Sequence, residues 1–233
     1  MRNFLPIQKL MSLVFLILYS TILAISIIPA YIGVNTSIQH YEDGNYWFIS
    51  ALLMSVSFGY LAHQITFPLL CGIAHRILPV KYPEGEFPIE SINGIKWAAS
   101  TAIHRAARQH FPTYTLPSWY VNLYYILMGA SISKGVQIAT LSINDPQHVT
   151  IGAKSVIGGG STINSHSVES GMIIIGKNAI GSSVTVGLNS ILLAGACVED
   201  NAIVGARSVV TKNMIIPSGE KWIGTPARRL NRH

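Results

Sequence analysis

Residues 180–216 read IGSSVT-VGLNSI-LLAGAC-VEDNAI-VGARSV-VTKNMI-I, and an aliphatic residue opens every block of six. A helix does not explain this spacing, because a period of six does not keep one face of an α-helix inward. A solenoid does explain it, since one aliphatic side chain per six residues points into a narrow core that successive turns share. No single unit can bury its own face, so the units must stack. The stretch therefore predicts a mainly β domain built as a β-helix.

The six-residue period extends on the amino-terminal side of this stretch, with aliphatic residues at Ile132, Ile138, Ile151, Ile157 and Ile163. Small residues mostly stand four positions after the aliphatic ones, where the chain must turn a corner: Ser155, Ser161, Ser167, Ser190, Ala196, Ala202 and Ser208, with Val184 and Met214 as larger members. Glycine directly follows several aliphatic positions and relieves the backbone there. We therefore assign residues 131–233 to the β-helix domain.

The register breaks twice within the repeats. A seven-residue step that begins at Asn144 interrupts the first turns. The register slips again before Ile180, because Ile175 looks like a repeat start and yet stands five residues before Ile180. Residues 165–172 are therefore predicted to loop out or to kink a coil. Breaks in a regular scaffold often carry function, and the second one contains His166.

Composition indicates that part of the chain faces something other than water. Charged residues make up 11% of the sequence and hydrophobic residues 49%, whereas about a quarter of the residues of soluble domains are charged. The net charge is +6, but the basic residues are scattered, and no basic run interleaved with aromatics indicates nucleic-acid binding. Cys71 and Cys197 stand far apart, and neither they nor the histidines have the spacing of a disulfide framework or of a metal site.

Two uncharged runs near the amino terminus predict membrane helices. Leu10–Val34 is uncharged over 25 residues, and as a helix it would be about 37 Å long, enough to cross a bilayer with tilt. Tyr46–Ala74 opens on two aromatic residues, as expected at a lipid headgroup boundary, and contains Pro68, a residue type that kinks helices. Residues 1–80 are therefore predicted to form a membrane region with two transmembrane helices.

Charge placement predicts the orientation of these helices. Basic residues stand before the first run and after the second, and the only charged residues between the runs are acidic: Arg2, Lys9, Arg76 and Lys81, against Glu42 and Asp43. Basic residues concentrate on the cytoplasmic side, so we expect a multi-pass protein of the cytoplasmic membrane with both termini and the repeat domain in the cytoplasm. The alternative for the first run is a cleaved signal peptide.

Residues 81–130 join the two regions and are predicted to hold two helices. Glu90–His110 is rich in alanine and combines apolar residues with basic ones, so it is a candidate to lie in the membrane interface. Trp119–Met128 is a short aromatic helix that ends at Gly129. The alternative for both helices is that they cap the end of the β-helix.

The repeats and the sequence that follows them resemble the hexapeptide-repeat acyltransferase superfamily. Residues 216–227 read IPSGEKWIGTPA, which is similar to the pattern that ends these domains. Repeats and ending together cover about the last hundred residues. The resemblance implies a left-handed parallel β-helix and a homotrimer with active sites between the subunits.

A narrower resemblance begins at about Ile92. The segments NDP at residues 144–146, VTIG at 149–152 and NSHSVE at 164–169, with the apolar spans, look like the membrane-bound carboxy-terminal domains of peptide synthetases of the ε-poly-lysine-synthase type. In those domains a histidine followed three residues later by a glutamate stands at this place, and His166 and Glu169 fit it. One such unit stands here without the adenylation and carrier domains of those synthetases, so we expect general acyl transfer rather than peptide-bond formation.

The superfamily resemblance implies direct transfer, in which a histidine takes a proton from an acceptor hydroxyl or amine as that atom attacks the thioester of acyl-CoA. Imidazole titrates near neutral pH and suits this role, which we assign to His166. Glu169 is the candidate to orient the imidazole or to stabilise its charged form. The alternatives are a plain loop histidine and a solvated glutamate. His148, in the first break, is a weaker candidate for the base.

The resemblance also implies that CoA lies along the helix groove beside the last coils. The candidate CoA-binding residues are Ala206, Lys212, Thr225, Pro226, Arg228 and Arg229. The two arginines are candidates to pair with the CoA phosphates, since guanidinium binds phosphate well; the alternative is a solvated basic tail. We expect no permanently bound cofactor and no metal.

These observations predict a membrane-anchored acyltransferase that moves an acyl group, with acetyl as the first candidate, from acyl-CoA to a hydroxyl or amine. Its expected partners are membrane lipid, acyl-CoA and a small-molecule or lipid-linked acceptor. Two alternatives stay open. One is amide formation from a carrier-protein thioester, which the synthetase resemblance implies. The other is a non-catalytic scaffold that uses the β-helix for assembly.

Overall fold

The computed structural model describes residues 4–41 and 47–230. Arg2, Glu42, Asp43 and Tyr46, which the predictions for the membrane region use, lie outside the described residues. The chain divides into two compact units, Met1–Ala74 with Ala102–Pro112, and His75–Thr101 with Thr113–His233. Residues of the predicted joining region, 81–130, therefore occur in both units.

The first unit is helical. It contains α1 (Phe4–Ser26), α2 (Ile28–Gln39), most of α3 (Trp47–Ile77) and the second half of α4 (Ile92–His110). The first apolar run is thus divided by a break at Ile27, while α3 continues through Pro68. Pro6–Ser26 and Trp47–Ile77 are long and apolar enough to cross a membrane, with mean hydropathies of 1.9 and 1.4. Many of their apolar side chains are exposed.

The second unit contains a parallel β-helix whose short strands form three faces. The first face consists of β2 (Ser131–Ile132), β5 (Val149–Ile151), β10 (Asn178–Ile180), β13 (Cys197–Val198) and β16 (Ile215–Ile216). The second consists of β3 (Gln137–Ile138), β6 (Val156–Ile157), β11 (Thr185–Val186), β14 (Ile203–Val204) and β17 (Lys221–Ile223), closed by the antiparallel β18 (Arg228–Arg229). The third consists of β4 (Ile143–Asn144), β7 (Thr162–Asn164), β12 (Ile191–Leu192) and β15 (Val209–Val210).

The predicted inward positions form the core of this β-helix. Every aliphatic residue predicted to point inward is buried except Ile132, which is half-buried. Of the predicted corner residues, Ser155, Ser161, Val184, Ser190, Ala196, Ala202 and Ser208 are buried. Successive coils are close at these corners, as shown by the Ser155 hydroxyl, which donates to the Gly181 carbonyl of the next coil at 2.7 Å. The predicted period of six is therefore confirmed.

The strand register locates the two breaks. In the third face, the inward residue of the first coil is Ile143, which pairs with Ile163, and not its neighbour Asn144. The first break therefore begins one residue earlier than the sequence predicts. The second break follows Asn164. Both breaks replace the corner between the third face and the first, so they lie one coil apart on the same edge of the β-helix.

The second break is a β-hairpin rather than an irregular loop. β8 (His166–Glu169) and β9 (Met172–Ile175) pair antiparallel, and between them Ser170 and Gly171 have φ values of 50° and 80°. Positive φ at both residues is typical of a two-residue type I′ turn, whose twist fits a hairpin. β1 (Gly85–Pro88) pairs with β9. This small sheet has a buried apolar cluster of Tyr82, Phe87, Ile173 and Ile175.

α5 (Trp119–Leu127) caps the first coil of the β-helix and follows a short 3-10 helix, Thr113–Thr115. It buries Tyr120, Val121, Tyr124 and Tyr125, and it contacts β2 and β3. The Asn122 amide donates to the Val136 carbonyl at 2.8 Å. α5 therefore packs on the first coil of the β-helix, and the prediction that the helices of residues 81–130 lie in the membrane interface stays a prediction.

Candidate active site

The two breaks bring Asp145 and His166 together. β4 and β7 are paired at their ends, where the Asn144 amide donates to the Asn164 side-chain oxygen at 3.0 Å. Asp145 directly follows Asn144, and His166 follows Asn164 by two residues. Stacked coils hold such positions beside each other, so two residues separated by 21 positions in the sequence become neighbours.

Asp145 and His166 form a hydrogen-bonded dyad. The His166 Nδ1 atom lies 2.5 Å from Asp145 Oδ2. A carboxylate only accepts, so Nδ1 carries the proton and the Nε2 lone pair is left to act as a base. The Asp145 side chain is 1% exposed and the His166 side chain 21%. The carboxylate of the dyad is thus buried, while the imidazole meets solvent.

The backbone of Asp145 has an unusual conformation. Its φ and ψ are 55° and 57°, in the left-handed region, and it precedes a short 3-10 helix, Pro146–His148. Aspartate adopts this region more readily than most residues. The His148 amide closes the turn by donating to the Asp145 carbonyl at 2.9 Å. Strained backbone persists only where its surroundings fix it, and it concentrates at functional sites.

Two further donors hold the Asp145 carboxylate. The Tyr82 hydroxyl donates to Oδ1 at 2.7 Å, and the Trp97 indole N–H donates to the same oxygen at 3.0 Å. Burial raises the pKa of the Tyr82 phenol and the neighbouring Asp145 carboxylate raises it further, so Tyr82 keeps its proton and acts as a donor. The Trp97 ring also packs edge-on against the His166 ring, with centroids 5.2 Å apart. Trp97 therefore contacts both partners of the dyad.

Glu169 does not contact the imidazole. Residues three apart in a β-strand point to opposite faces, and β8 places His166 and Glu169 in this relation. The Glu169 carboxylate instead forms an exposed ion pair with the Lys212 ammonium. The segment is therefore a strand and not a loop, and the carboxylate that lies against the His166 imidazole is that of Asp145 and not that of Glu169.

His148, the competing candidate for the base, is only 7% exposed. Its ring lies against that of Tyr82, with centroids 5.1 Å apart. Burial lowers the pKa of the His148 imidazole, which favours the neutral form. The His148 imidazole is therefore buried and packed on Tyr82, whereas the His166 side chain is 21% exposed.

The predicted CoA-binding residues lie at two corners of the last coils. Ala206, Thr225 and Pro226 are exposed at the corner between the second and third faces, where the Thr225 hydroxyl donates to the Arg207 carbonyl at 3.4 Å. Lys212 lies at the corner between the third and first faces, the edge that carries the breaks. The structure therefore groups the first three residues and separates Lys212 from them.

The two arginines predicted to meet phosphate lie on β18 and are exposed. Arg229 pairs with Glu220 at 3.2 Å. Arg228 has no ion pair with any residue that the structure describes. At Arg229 an anion must therefore compete with the Glu220 carboxylate.

Asp145, Tyr82 and Trp97 are site residues that sequence reasoning missed. A signal for Asp145 exists, because it is an acid that precedes proline inside the first break, one coil before His166. Tyr82 and Trp97 lie outside the repeats, so the period of six does not predict where they lie relative to the coils. Only long-range packing brings these two residues to the dyad.

No family model matches the chain. The sequence is similar to the Delta-poly-L-ornithine synthetase of Acinetobacter baumannii (strain AB307-0294), with 28% identity over 156 residues. This match covers 66% of the chain and only 11% of that protein. It confirms the resemblance to synthetases of poly-amino acids. The chain spans only a small part of the length of that protein.

Solved structures with similar repeats include hexapeptide-repeat acetyltransferases. One from Vibrio cholerae O1 biovar eltor, complexed with acetyl coenzyme A, has 18% identity and a TM-score of 0.42, and the match covers 62% of this chain and 91% of that one. A galactoside acetyltransferase in complex with coenzyme A has 17% identity and a TM-score of 0.44, with 63% and 85% covered. The β-helix of this chain is shown by its own strand pairing.

Proposed function

We propose that this chain is a membrane-anchored acyltransferase of the hexapeptide-repeat type, in which His166 is the general base. The Asp145–His166 dyad carries the proposal, because a buried carboxylate fixes Nδ1 of a partly exposed imidazole and leaves Nε2 as the base. The same pairing activates an attacking hydroxyl in serine hydrolases. Among residues 4–41 and 47–230, no side chain is hydrogen-bonded to Nε2, so we infer that the attacking atom belongs to the acceptor.

The proposed reaction is a direct attack. The acceptor oxygen or nitrogen forms a bond to the thioester carbonyl carbon while His166 Nε2 takes its proton, and the carbon–sulfur bond then breaks. The imidazolium returns the proton to the leaving thiolate, which departs as a thiol. Asp145 stabilises the imidazolium between these steps. A thioester and an acceptor thus become an ester or an amide and a free thiol.

Acyl-CoA is the proposed donor, with acetyl-CoA as the first candidate. Ala206, Thr225 and Pro226 are the candidates to lie beside the pantetheine arm, and Arg228 and Arg229 beside the phosphates; all five are exposed. Lys212 would have to leave its ion pair with Glu169 to bind a phosphate. A left-handed coil and a homotrimer with sites between subunits belong to the same proposal and rest on the sequence resemblance.

We place the protein in the cytoplasmic membrane as a multi-pass protein with the repeat domain in the cytoplasm. α1 and α3 support this, because each is long enough to span a bilayer and exposes apolar side chains. Lys9 near the start of α1, Arg76 in the last turn of α3 and Lys81 beyond its end agree with this orientation. A cysteine at Ser218 should react with a membrane-impermeant thiol reagent only after lysis, and labelling in intact cells would reverse the orientation.

A second candidate function is amide formation from an acylated carrier protein. The similarity to a poly-ornithine synthetase favours it specifically. The acceptor would then be an amine, and the same dyad would take its proton as the nitrogen attacks the carrier thioester. The two candidates differ in the thiol that is released and not in the role of His166.

Thioester turnover by the full chain in mild detergent separates these candidates. Native mass spectrometry first identifies the co-purified acceptor and counts the chains of the oligomer. With that acceptor, the protein should release free CoA from acetyl-CoA. Release from an acylated carrier protein but not from acyl-CoA would establish the second candidate. Equal background release by wild type and His166→Ala with both donors would support a non-catalytic scaffold.

A further inference from the structure

We propose that His63 and His110 form a binding site for a single proton inside the first, helical unit, and that uptake of this proton loosens the packing of that unit. The site goes beyond the proposed acyl transfer and does not depend on it. His63 lies on α3, one of the helices long enough to span a bilayer, where ionisable side chains are rare and usually functional. His110 is the last residue of α4.

A chain of hydrogen bonds runs through the two imidazoles and begins and ends on α1. The Tyr19 hydroxyl oxygen lies 2.9 Å from His110 Nε2. His110 Nδ1 lies 2.9 Å from His63 Nε2, and His63 Nδ1 lies 2.8 Å from the Ser26 hydroxyl oxygen. The Ser26 hydroxyl donates to the Leu23 carbonyl at 2.8 Å. The chain therefore joins α1, α3 and the end of α4.

The Leu23 carbonyl sets the direction of the protons in this chain. A carbonyl only accepts, so the Ser26 hydroxyl donates to it, and the Ser26 oxygen is left to accept from the Nδ1–H group of His63. His63 Nε2 then accepts from the Nδ1–H group of His110, and His110 Nε2 accepts from the Tyr19 hydroxyl. Each imidazole in this arrangement is neutral and uses one nitrogen as a donor and the other as an acceptor.

The arrangement accommodates one further proton and resists a second. A proton added at His110 Nε2 turns that nitrogen into a donor to the Tyr19 oxygen, so this hydrogen bond is kept with its direction reversed. The Nδ1 proton of His110 can then pass to His63 Nε2, so the two rings share the charge. A second proton would leave two N–H groups facing each other across 2.9 Å and two cations side by side.

The surroundings of the pair supply an aromatic face but no counterion. The buried Phe67 ring lies against the His110 ring, with centroids 4.0 Å apart, and an aromatic face attracts a cation. Among residues 4–41, 47–74 and 102–112, the described part of this unit, none is aspartate or glutamate. The other titratable or charged side chains of α1, α3 and α4 there are basic, phenolic or thiol groups: Lys9, Tyr60, Cys71, His104, Arg105 and Arg108. A protonated pair is thus a buried cation without a carboxylate partner, so the stability present at neutral pH should fall as the pH falls.

Nuclear magnetic resonance of the full chain in detergent, with nitrogen-15-labelled histidine, tests the proton count. A coupling across the N–H···N hydrogen bond should join the signals of His63 and His110 at neutral pH, and His63→Gln or His110→Gln assigns them by removing it. On acidification the two rings should titrate with one shared midpoint and take up one proton between them. Independent midpoints with a proton on each ring, or two rings that stay neutral throughout, would overturn the site.

The thiol of Cys71 reports the loosening of the unit. Cys71 is 1% exposed and lines a small cavity with Tyr19 and Phe67, so a thiol reagent reaches it only when the helices separate. In Cys197→Ala, which leaves one thiol, the labelling rate is measured relative to that of the unfolded chain at the same pH. This ratio should rise on acidification by up to about tenfold per pH unit, the limit for one proton. A rise approaching about a hundredfold per pH unit would mean two protons and would contradict the single-proton site.

Two matched glutamine variants assign this rise to the pair. His110→Gln offers a donor and an acceptor but takes no proton, so it should abolish the rise; His63→Gln takes its place if His110→Gln does not fold. His40→Gln makes the same change at an exposed histidine of the same unit, which is hydrogen-bonded to the Thr36 carbonyl at 2.9 Å, and it should keep the rise. A wild type whose labelling ratio does not rise, or a rise that persists in the pair variants, overturns the proposal. Because neither measurement uses a thioester, both hold whether or not the protein transfers acyl groups.

Discussion

The first coils of the β-helix, residues 131–177, and the last coils, residues 178–216, form one solenoid of unequal regularity. In the last coils the period of six never fails, and the inward aliphatic residues are at most 2% exposed. In the first coils two breaks place Asp145 in left-handed backbone and His166 on a hairpin. A regular coil points each side chain into the core or away from the wall. The breaks bring a carboxylate and an imidazole together. In the proposed function, the regular coils therefore hold the site in position and the breaks carry its reactive groups.

The largest expected effect is a loss of stability, and it is expected in the regular last coils. Val198 is fully buried, so Val198→Asp would bury a carboxylate without a partner, at a cost of about 3–5 kcal/mol. The β-helix should unfold or melt at a much lower temperature, as followed by circular dichroism. Asn201→Asp is the control, because Asn201 is exposed at a φ of 60°, which aspartate also adopts. Equal tolerance of both changes would show that the period of six does not build the core.

The next effect is expected in the first coils, on rate and not on stability. His166→Ala should lower acyl transfer by about 10²–10⁴-fold, the usual contribution of acid–base catalysis, with the fold, the membrane insertion and the oligomer retained. His166→Gln should do no better, since an amide hydrogen-bonds but cannot take the proton. Donor affinity should hardly change, because the imidazole acts in the transition state.

The pH dependence supplies a second measurement for the same residue. An imidazole acts as a base only when unprotonated, so the wild-type rate should rise with pH. Both His166 variants should lose this rise. Wild-type turnover by His166→Ala would remove His166 from the mechanism, and His148 would be the next residue to test.

A smaller effect on turnover is expected for Asp145→Asn, about 10–10³-fold, which is less than the roughly 10⁴-fold loss for the same change in the serine-hydrolase triad. The amide can present an N–H group to Nδ1, and the imidazole proton then moves to Nε2, which can no longer act as the base. Tyr82 and Trp97 can still donate to the remaining oxygen, so the fold should persist. Nitrogen-15 spectra of the His166 ring would report the tautomer. A variant with wild-type turnover and an unchanged tautomer would contradict the dyad.

The sequence predicts the regular coils well because each coil repeats one local rule. Val204 and Val210 are inward for the same reason as Val198, and any one of them predicts the others. At a break the six-residue period is interrupted, so the sequence there gives no periodic pattern that would reveal a shift of one residue in the register. For this reason the spacing does not show that Ile143, and not Asn144, is the inward residue.

The site is predicted only in part for a related reason. The sequence singles out His166 because a slip in register is visible there and imidazole chemistry is distinctive, and its role as the base stays a prediction. Which carboxylate lies beside His166 depends on which residues stack across coils, and the length of the first break determines that stacking. Glu169 is close to His166 in the sequence, but a strand turns residues three apart to opposite sides. Tyr82 and Trp97 come from segments whose folding onto the repeats no local pattern specifies.

The smallest effect is expected for Glu169→Gln. The side chains of the Glu169–Lys212 pair are 55% and 39% exposed, and an exposed pair of this kind contributes about 0–1 kcal/mol. The variant should therefore change turnover by less than about twofold and leave the pH–rate profile in place. Asp145→Asn makes the same chemical change, carboxylate to amide, so the ratio of the two rates shows which acid orients the base. A large loss of turnover in Glu169→Gln, beside near-normal turnover in Asp145→Asn, would mean that the hairpin of the working enzyme brings Glu169 to the imidazole after all.

Lys212→Gln completes the comparison. A rise in the KM for acyl-CoA that Glu169→Gln does not show would assign Lys212 to binding of the donor, with Glu169 as its partner when no donor is bound.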